Sequence, residues 1–369
     1  MHRRTFLRGV GGAAAAIVPG ARSRADEARP FRLGVTRWPP DLTLAAVAAV
    51  DGFVARDCDM AAPMLYGGVP WTEAASGAPF AEGLRVELAY RPPAGHKLLL
   101  SLGPLDLLRR GMAPYWGERE NMPVPPQFAG RSLDDPQVMA SFAAFALRAC
   151  EAMRPDWLAI GIELNALLSN APQAWPALKA LYRHGYAALK ARFPDLPVCF
   201  TIEAQHYLGN ADGADHPTQR RELLDLLQHS DLVAFSIYPH MSWATPRPLP
   251  DGYFDFAAEL ADAAGGKPVA VTESGYTSRN VMIGAIPLFG SPEEQERHVD
   301  LLLAAARRDR YAFVVNFASH DFEPLTARLP PAAQTLARIW TYTGLKRSDG
   351  ADKPAMTPWR RHLAVPAER

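Results

Sequence analysis

The chain has 369 residues, 48% of them hydrophobic, and its 39 basic and 39 acidic side chains leave no formal net charge. That composition supplies a large core, while the balanced charge and the lack of any clustered basic run beyond the N-terminus and Arg307, Arg308 and Arg310 argue against nucleic acid or anionic membrane as partners. Cys58, Cys150 and Cys199 fall in apolar strand-like or helix-like segments and read as core thiols, with at most one disulfide among them.

The first residues read as a targeting segment. Arg3 and Arg4 form a twin-arginine pair, the apolar stretch Val10 to Val18 follows, and Ser23-Arg24-Ala25 is a small-x-small cleavage site. The expectation is a signal peptide over 1–25, export to the periplasm or beyond, and a mature region over 26–369. The apolar stretch is too short and too rich in Gly and Ala to span a bilayer, and no other window is long and apolar enough, so no membrane association is expected after processing.

Apolar runs then alternate with helical patterns. Strands are predicted over 31–37, 60–66, 97–102, 157–163, 197–202, 231–238, 268–273 and 311–317, and helices over 135–153, 174–193, 219–229, 254–263 and 292–308. Continuous rather than alternating apolar strands are covered on both faces, and eight of them separated by helices predict an α/β fold, a single (β/α)8 TIM barrel over 26–369. An open doubly wound sheet is the second choice. The Pro- and Gly-rich stretch 103–131 reads as an elaborated loop over the barrel mouth.

Two glutamates stand where buried strands run into loops: Glu163 closes the fourth run and Glu273 closes Pro268-Val-Ala-Val-Thr-Glu273. Parallel barrels place their chemistry at such ends, and two carboxylates on opposite walls of one mouth suit glycoside cleavage. Arg37 and Trp38 follow strand one, Trp71 follows strand two, Gln205 and His206 follow strand five, and Asp321 follows strand eight. Trp38 and Trp71 are candidates to stack on sugar faces, Arg37, Gln205, His240 and Asn316 to contact the sugar, and Asp321 either to bond a sugar hydroxyl or to stand as a solvated loop acid. Asn165, two residues past Glu163, either supplies an amide to the sugar or ties its own loop down. His206, His240 and His320 have no His-x-His or His-Glu-x-x-His spacing, so neither a metal site nor any cofactor is expected.

The order Glu163, Ser236-Ile-Tyr238-Pro-His240, Thr272-Glu273-Ser-Gly-Tyr276 and the closing Gly344 to Gly350 with Lys353-Pro-Ala355 resembles the clan of retaining (β/α)8 glycoside hydrolases, most of all the endo-β-1,4-galactanase-like families. The resemblance implies that Glu163 is the general acid and base, that Glu273 is the nucleophile, and that Tyr238 bonds the Glu273 carboxylate, with His240 beside it. It departs at Ile162, where the clan has an Asn, and at Asn316, where the clan often has a Trp. Two functions stay open: an exported hydrolase of β-linked poly- or oligosaccharide, expected as a monomer, and a non-catalytic carbohydrate-binding barrel.

Overall fold

The computed structural model describes residues 28–368, and the expected twin-arginine segment lies outside the described residues. Eight parallel strand positions follow one another in the chain. They are Arg32–Thr36, Met60–Ala62 with Met64–Leu65, Lys97–Leu102, Trp157–Ala159, Val198–Cys199 with Thr201–Glu203, Val233–Ile237, Val269–Ser274 and Phe313–Asn316. The hydrogen-bonded path begins on Val198–Cys199, which pairs with strand four, and ends on Thr201–Glu203, which pairs with strand six. Strand five therefore closes the sheet on itself, as a (β/α)8 barrel requires.

The two-sided apolar runs have a direct cause. Met60, Leu99, Ala159, Cys199, Ala234, Ala270, Phe313 and Val315 pack together inside the barrel, while Leu33, Leu98, Leu158, Phe235 and Val271 from the same strands pack against the helices. The helices start where the sequence offers caps: Thr43, Asp135, Asp215 and Ser291 each accept a backbone N–H at the heads of Leu44–Asp57, Pro136–Met153, His216–Leu227 and Pro292–Arg308. The first of these is missing from the sequence reading, which also misses a small hairpin, Val281–Ile283 with Ile286–Leu288, in the loop after strand seven. All three cysteines are buried and unpaired.

Behind the mouth, the C-terminal segment is locked by a buried ion pair. Lys353 Nζ meets Asp321 Oδ1, Ser278 Oγ and the Tyr342 carbonyl, and the Gly344 N–H donates to Asp321. A Cβ on Gly344 would lie 2.2 Å from the Asp321 nitrogen, so only glycine lets the two segments approach this closely. Asp321 thus anchors the loop after strand eight, its Oδ1 engaged by Lys353 and by the Gly344 N–H. Removing one partner strands the other charge: Lys353→Met is expected to lower the unfolding free energy by about 3–5 kcal/mol, and adding Asp321→Asn to recover part of the loss, measured by urea denaturation.

Candidate functional site at the barrel mouth

Alternation along strand seven would turn Glu273 away from the mouth. Ala270 faces the interior and Val271 the helices, so position 272 should face inward and position 273 outward. A β-bulge reverses this: Phe235 pairs with Val271, yet Ser236 pairs with Glu273, leaving Thr272 as the extra residue with its hydroxyl on the Phe235 carbonyl. Glu273 is thereby aimed into the mouth, a use of bulges common beside functional sites.

Glu163 is placed by a different device. Strand four ends at Ala159, and the backbone irregularity that follows puts Glu163 at φ 53°, the left-handed region that side-chain-bearing residues seldom occupy. Its N–H is held by Thr201 Oγ1 at 2.7 Å. Strain of this kind costs about 1–3 kcal/mol and persists where surrounding contacts enforce it.

The contacts converge on three carboxyl groups. Ser236 Oγ donates to Glu163 Oε1 at 2.7 Å, and Arg109 Nη2 donates to Glu163 Oε2 at 3.0 Å. Tyr66 Oη and Tyr238 Oη donate to the two oxygens of Glu273 at 3.1 and 2.9 Å. Glu203, at the end of strand five, stands in register with Ser236, which itself stands in register with Glu273. Its Oε2 accepts the His206 N–H at 2.6 Å, while its buried Oε1 has no partner.

Burial sets the charge states. Glu273 is only 3% exposed, and burial, then the nearby charge of Glu163, push its carboxyl up to about 8 against the pull of Tyr238, Arg109 and Tyr66. Glu203 is pushed up to about 8 by the same two causes in the same order. Among the described residues, Arg109 is the only Lys or Arg hydrogen-bonded to these carboxyls. Its guanidinium is pre-positioned, with Nη1 donating to the carbonyls of Asp106 and Leu107.

The loop carrying Arg109 is fastened by a residue the sequence assigned elsewhere. Trp71 is not at the mouth: it is fully buried, its ring 5.7 Å from that of Phe128 and its indole N–H on the Ala113 carbonyl at 3.0 Å. The chain next to it pairs through Val69 with Pro114 and Trp116, and Gly68, at φ 112°, permits the approach. A Cβ there would sit 2.3 Å from the Pro114 oxygen.

Other predicted site residues are also spent within the protein. Arg37 turns to the helix layer, where it pairs with Asp51 and lies over the Tyr90 ring. Asn165 ties its loop down: its amide donates to the Glu203 carbonyl and Gln219, and its oxygen accepts the Glu203 N–H. Asn316 donates to the carbonyls of Ala318 and Thr343. Gln205 links to Tyr253, Asn210 and Thr245.

His240 is buried on the Ile339 carbonyl and is driven down to about 4 by that burial. Trp38 is half-buried against Phe317 and Phe322, in the cluster that also holds Tyr238 and Trp340. Among the described residues, no group of three or more His, Cys, Asp or Glu is arranged to hold a metal ion.

Tyr66, Arg109 and Glu203 are absent from the sequence reading. Tyr66 and Glu203 carry a signal that could have found them, since each ends an apolar strand run, as Glu163 and Glu273 do. Arg109 carries none.

A carboxyl with a raised pKa favours folding while protonated. Between the ordinary value of 4.5 and about 8 the folded chain keeps a proton on Glu203 that the unfolded chain has lost. Stability is therefore full below that window, falls as pH rises through it, and levels off above. Glu203→Gln, a neutral isostere, is expected to flatten part of this fall in Tm; an unchanged pH profile would place the titration elsewhere.

No protein-family model matches the sequence, and no curated protein matches it. Solved structures do resemble it in fold. A GH5_18 protein of Streptomyces cattleya, crystallised with GlcNAc, aligns at a TM-score of 0.63 and 18% identity over 93% of this chain and 83% of its own. A GH5_18 variant from Bifidobacterium longum, in complex with Manβ1-4GlcNAc, gives 0.62 and 12% over 92% and 80%. The GH53 catalytic domain of Ignisphaera aggregans gives 0.58 and 16% over 94% and 98%. At these identities the likeness establishes one thing: the chain has the parallel αβ-barrel fold shared by these glycoside hydrolases.

Proposed function

We propose that this protein is an exported glycoside hydrolase that cleaves a β-linked poly- or oligosaccharide with Glu163 and Glu273 as its carboxyl pair. The observation that carries the reading is the convergence of these two side chains on one mouth. Glu273 is turned there by the bulge at Thr272, Glu163 stands on left-handed backbone held by Thr201, and side-chain donors orient both carboxyls: Tyr66 and Tyr238 on Glu273, Ser236 and Arg109 on Glu163. Neighbours of the same fold include a protein in complex with Manβ1-4GlcNAc and an exo-β-1,4-mannosidase, which supports β-linked sugars as the substrate class.

In the retaining scheme one carboxylate attacks the anomeric carbon and the other protonates the departing oxygen, then deprotonates the water that releases the sugar. The clan resemblance assigns attack to Glu273 and proton transfer to Glu163. Tyr66 and Tyr238 support that assignment, since two hydroxyl donors orient the Glu273 carboxyl and favour its ionised form. The charges of the free protein favour the reverse, because Arg109 lies on Glu163 while burial keeps the proton on Glu273. Sugar filling the mouth and displacing Arg109 from Glu163 would reconcile the two.

The stereochemistry of azide rescue decides it. On an activated aryl β-glycoside, Glu273→Ala is expected to lose at least about 10³-fold in kcat and to form the α-glycosyl azide when azide is added. Glu163→Ala is expected to form the β-azide and to lose far more on poor leaving groups than on aryl ones. An α-azide from Glu163→Ala instead would exchange the two roles. Unimpaired turnover by both variants would remove the pair from catalysis.

One set of observations favours a non-catalytic sugar-binding barrel. Ile162 offers no hydrogen bond, the amides of Asn165 and Asn316 are engaged internally, and the cavity beside Ile162 and Arg109 is about 20 Å³, the room of a single water. Glycan binding without release of sugar, equal in the wild type and Glu273→Ala, is the outcome that reading requires.

A further inference from the structure

A second recess lies beside the carboxyl site, between the loops that follow strands six and seven. It encloses about 150 Å³, the scale of one pyranose ring, and is lined by Trp243, Phe289, Tyr276, His240 and Arg247 among others. It adjoins the catalytic mouth through a run of rings. Tyr238, whose hydroxyl is on Glu273, lies 6.2 Å by ring centroid from His240, and His240 lies 5.4 Å from Tyr276.

The rim is aromatic and exposed in a way that packing does not explain. Trp243 is 70% exposed and Phe289 42%. A large apolar side chain this open would ordinarily be mobile, yet Trp243 is pinned: its indole N–H donates to the Pro287 carbonyl of the hairpin at 3.0 Å. That bond costs the ring no exposed face and fixes its orientation, so part of the ordering that a bound ligand would otherwise impose is already done.

The polar groups of the recess narrow the ligand class. Arg247 lies 5.2 Å from the Phe289 ring centroid, with its guanidinium engaged twice by Glu294, at 2.8 and 2.6 Å. Thr245 donates to Gln205, Ser242 to the Asn210 carbonyl, and His240 is neutral on the Ile339 carbonyl. The recess therefore presents no uncommitted charge, and its remaining surface is aromatic faces with hydroxyl oxygens at their edge. Such a surface fits a neutral ring having one apolar face and hydroxyls around its rim.

We infer that this recess is a second sugar site, in which Trp243 and Phe289 hold a neutral pyranose of the same glycan chain at a distance from the bond at Glu163 and Glu273. The inference rests on the glycan reading but not on catalysis. A site of this kind makes affinity grow with chain length and leaves the chemistry on a one-sugar substrate untouched.

The test separates the two readings. Wild type, Trp243→Ala and Phe289→Ser are titrated with β-1,4-linked galacto-, manno-, gluco- and xylotetraose and with the corresponding monosaccharides, and aryl β-glycoside hydrolysis is measured alongside. Expected is one tetraose bound at least about tenfold more tightly than its monosaccharide, a loss of roughly that factor in each variant, and unchanged kcat/KM on the aryl glycoside. Equal tetraose affinity in the wild type and both variants overturns the inference, and so does failure of every tetraose to bind. Variant-sensitive tetraose binding by a wild type that cleaves no aryl glycoside upholds the second site and discards the hydrolase reading. Because Trp243 and Phe289 are exposed, a circular dichroism melt matching the wild type is expected from both variants. A lowered melt in one makes the other the deciding variant.

Discussion

Three carboxyl groups meet at the barrel mouth, two of them buried, and among the described residues one guanidinium, bonded to the third, is set against them. This imbalance governs the site more than any packing contact does. Burial, then the nearby charge of Glu163, raises the carboxyls of Glu203 and Glu273, while Arg109 is bonded to Glu163. Tyr66, Tyr238, Ser236 and the His206 N–H then fix where each carboxyl points.

The barrel contributes position, in part through irregularity. A regular strand seven would aim Glu273 at the helices. One extra residue, Thr272, turns strand seven, while a left-handed backbone at Glu163, held by Thr201, turns the end of strand four. The two devices act on different strands and share no residue. They meet only through Ser236, which is in register with Glu273 and bonded to Glu163.

What a sequence makes legible follows from how far apart the cooperating residues lie. The barrel could be read because each strand and helix declares itself over a handful of neighbours, by apolar runs and by caps such as Ser291 before Pro292. Glu163 and Glu273 could be read because a carboxylate closing a buried strand is locally anomalous. Arg109 could not, since the sequence puts its loop over the mouth but nothing local says which side chain of that loop meets Glu163. The same blindness explains Trp71, Asn165 and Asp321: each has the residue type of a ligand contact, and each is consumed by a partner 32 or more residues away, at Ala113, Glu203 and Lys353. Strand-end position tells which residues can reach the mouth, whereas the bonding that removes them from it is a property of the whole fold.

The fastening of the 103–131 loop has a consequence for where the charge of the mouth is set. Its hold on the body includes Val69, Trp71 and Gly68 in the segment after strand two, so the arginine that balances the site is supplied by a loop rather than by the barrel wall. Exchange of that loop would reset the charge of the mouth while leaving every strand, the bulge and the interior layer as they are. The charge balance of the mouth is thus a property of a loop, and the carboxyls it balances are a property of the wall.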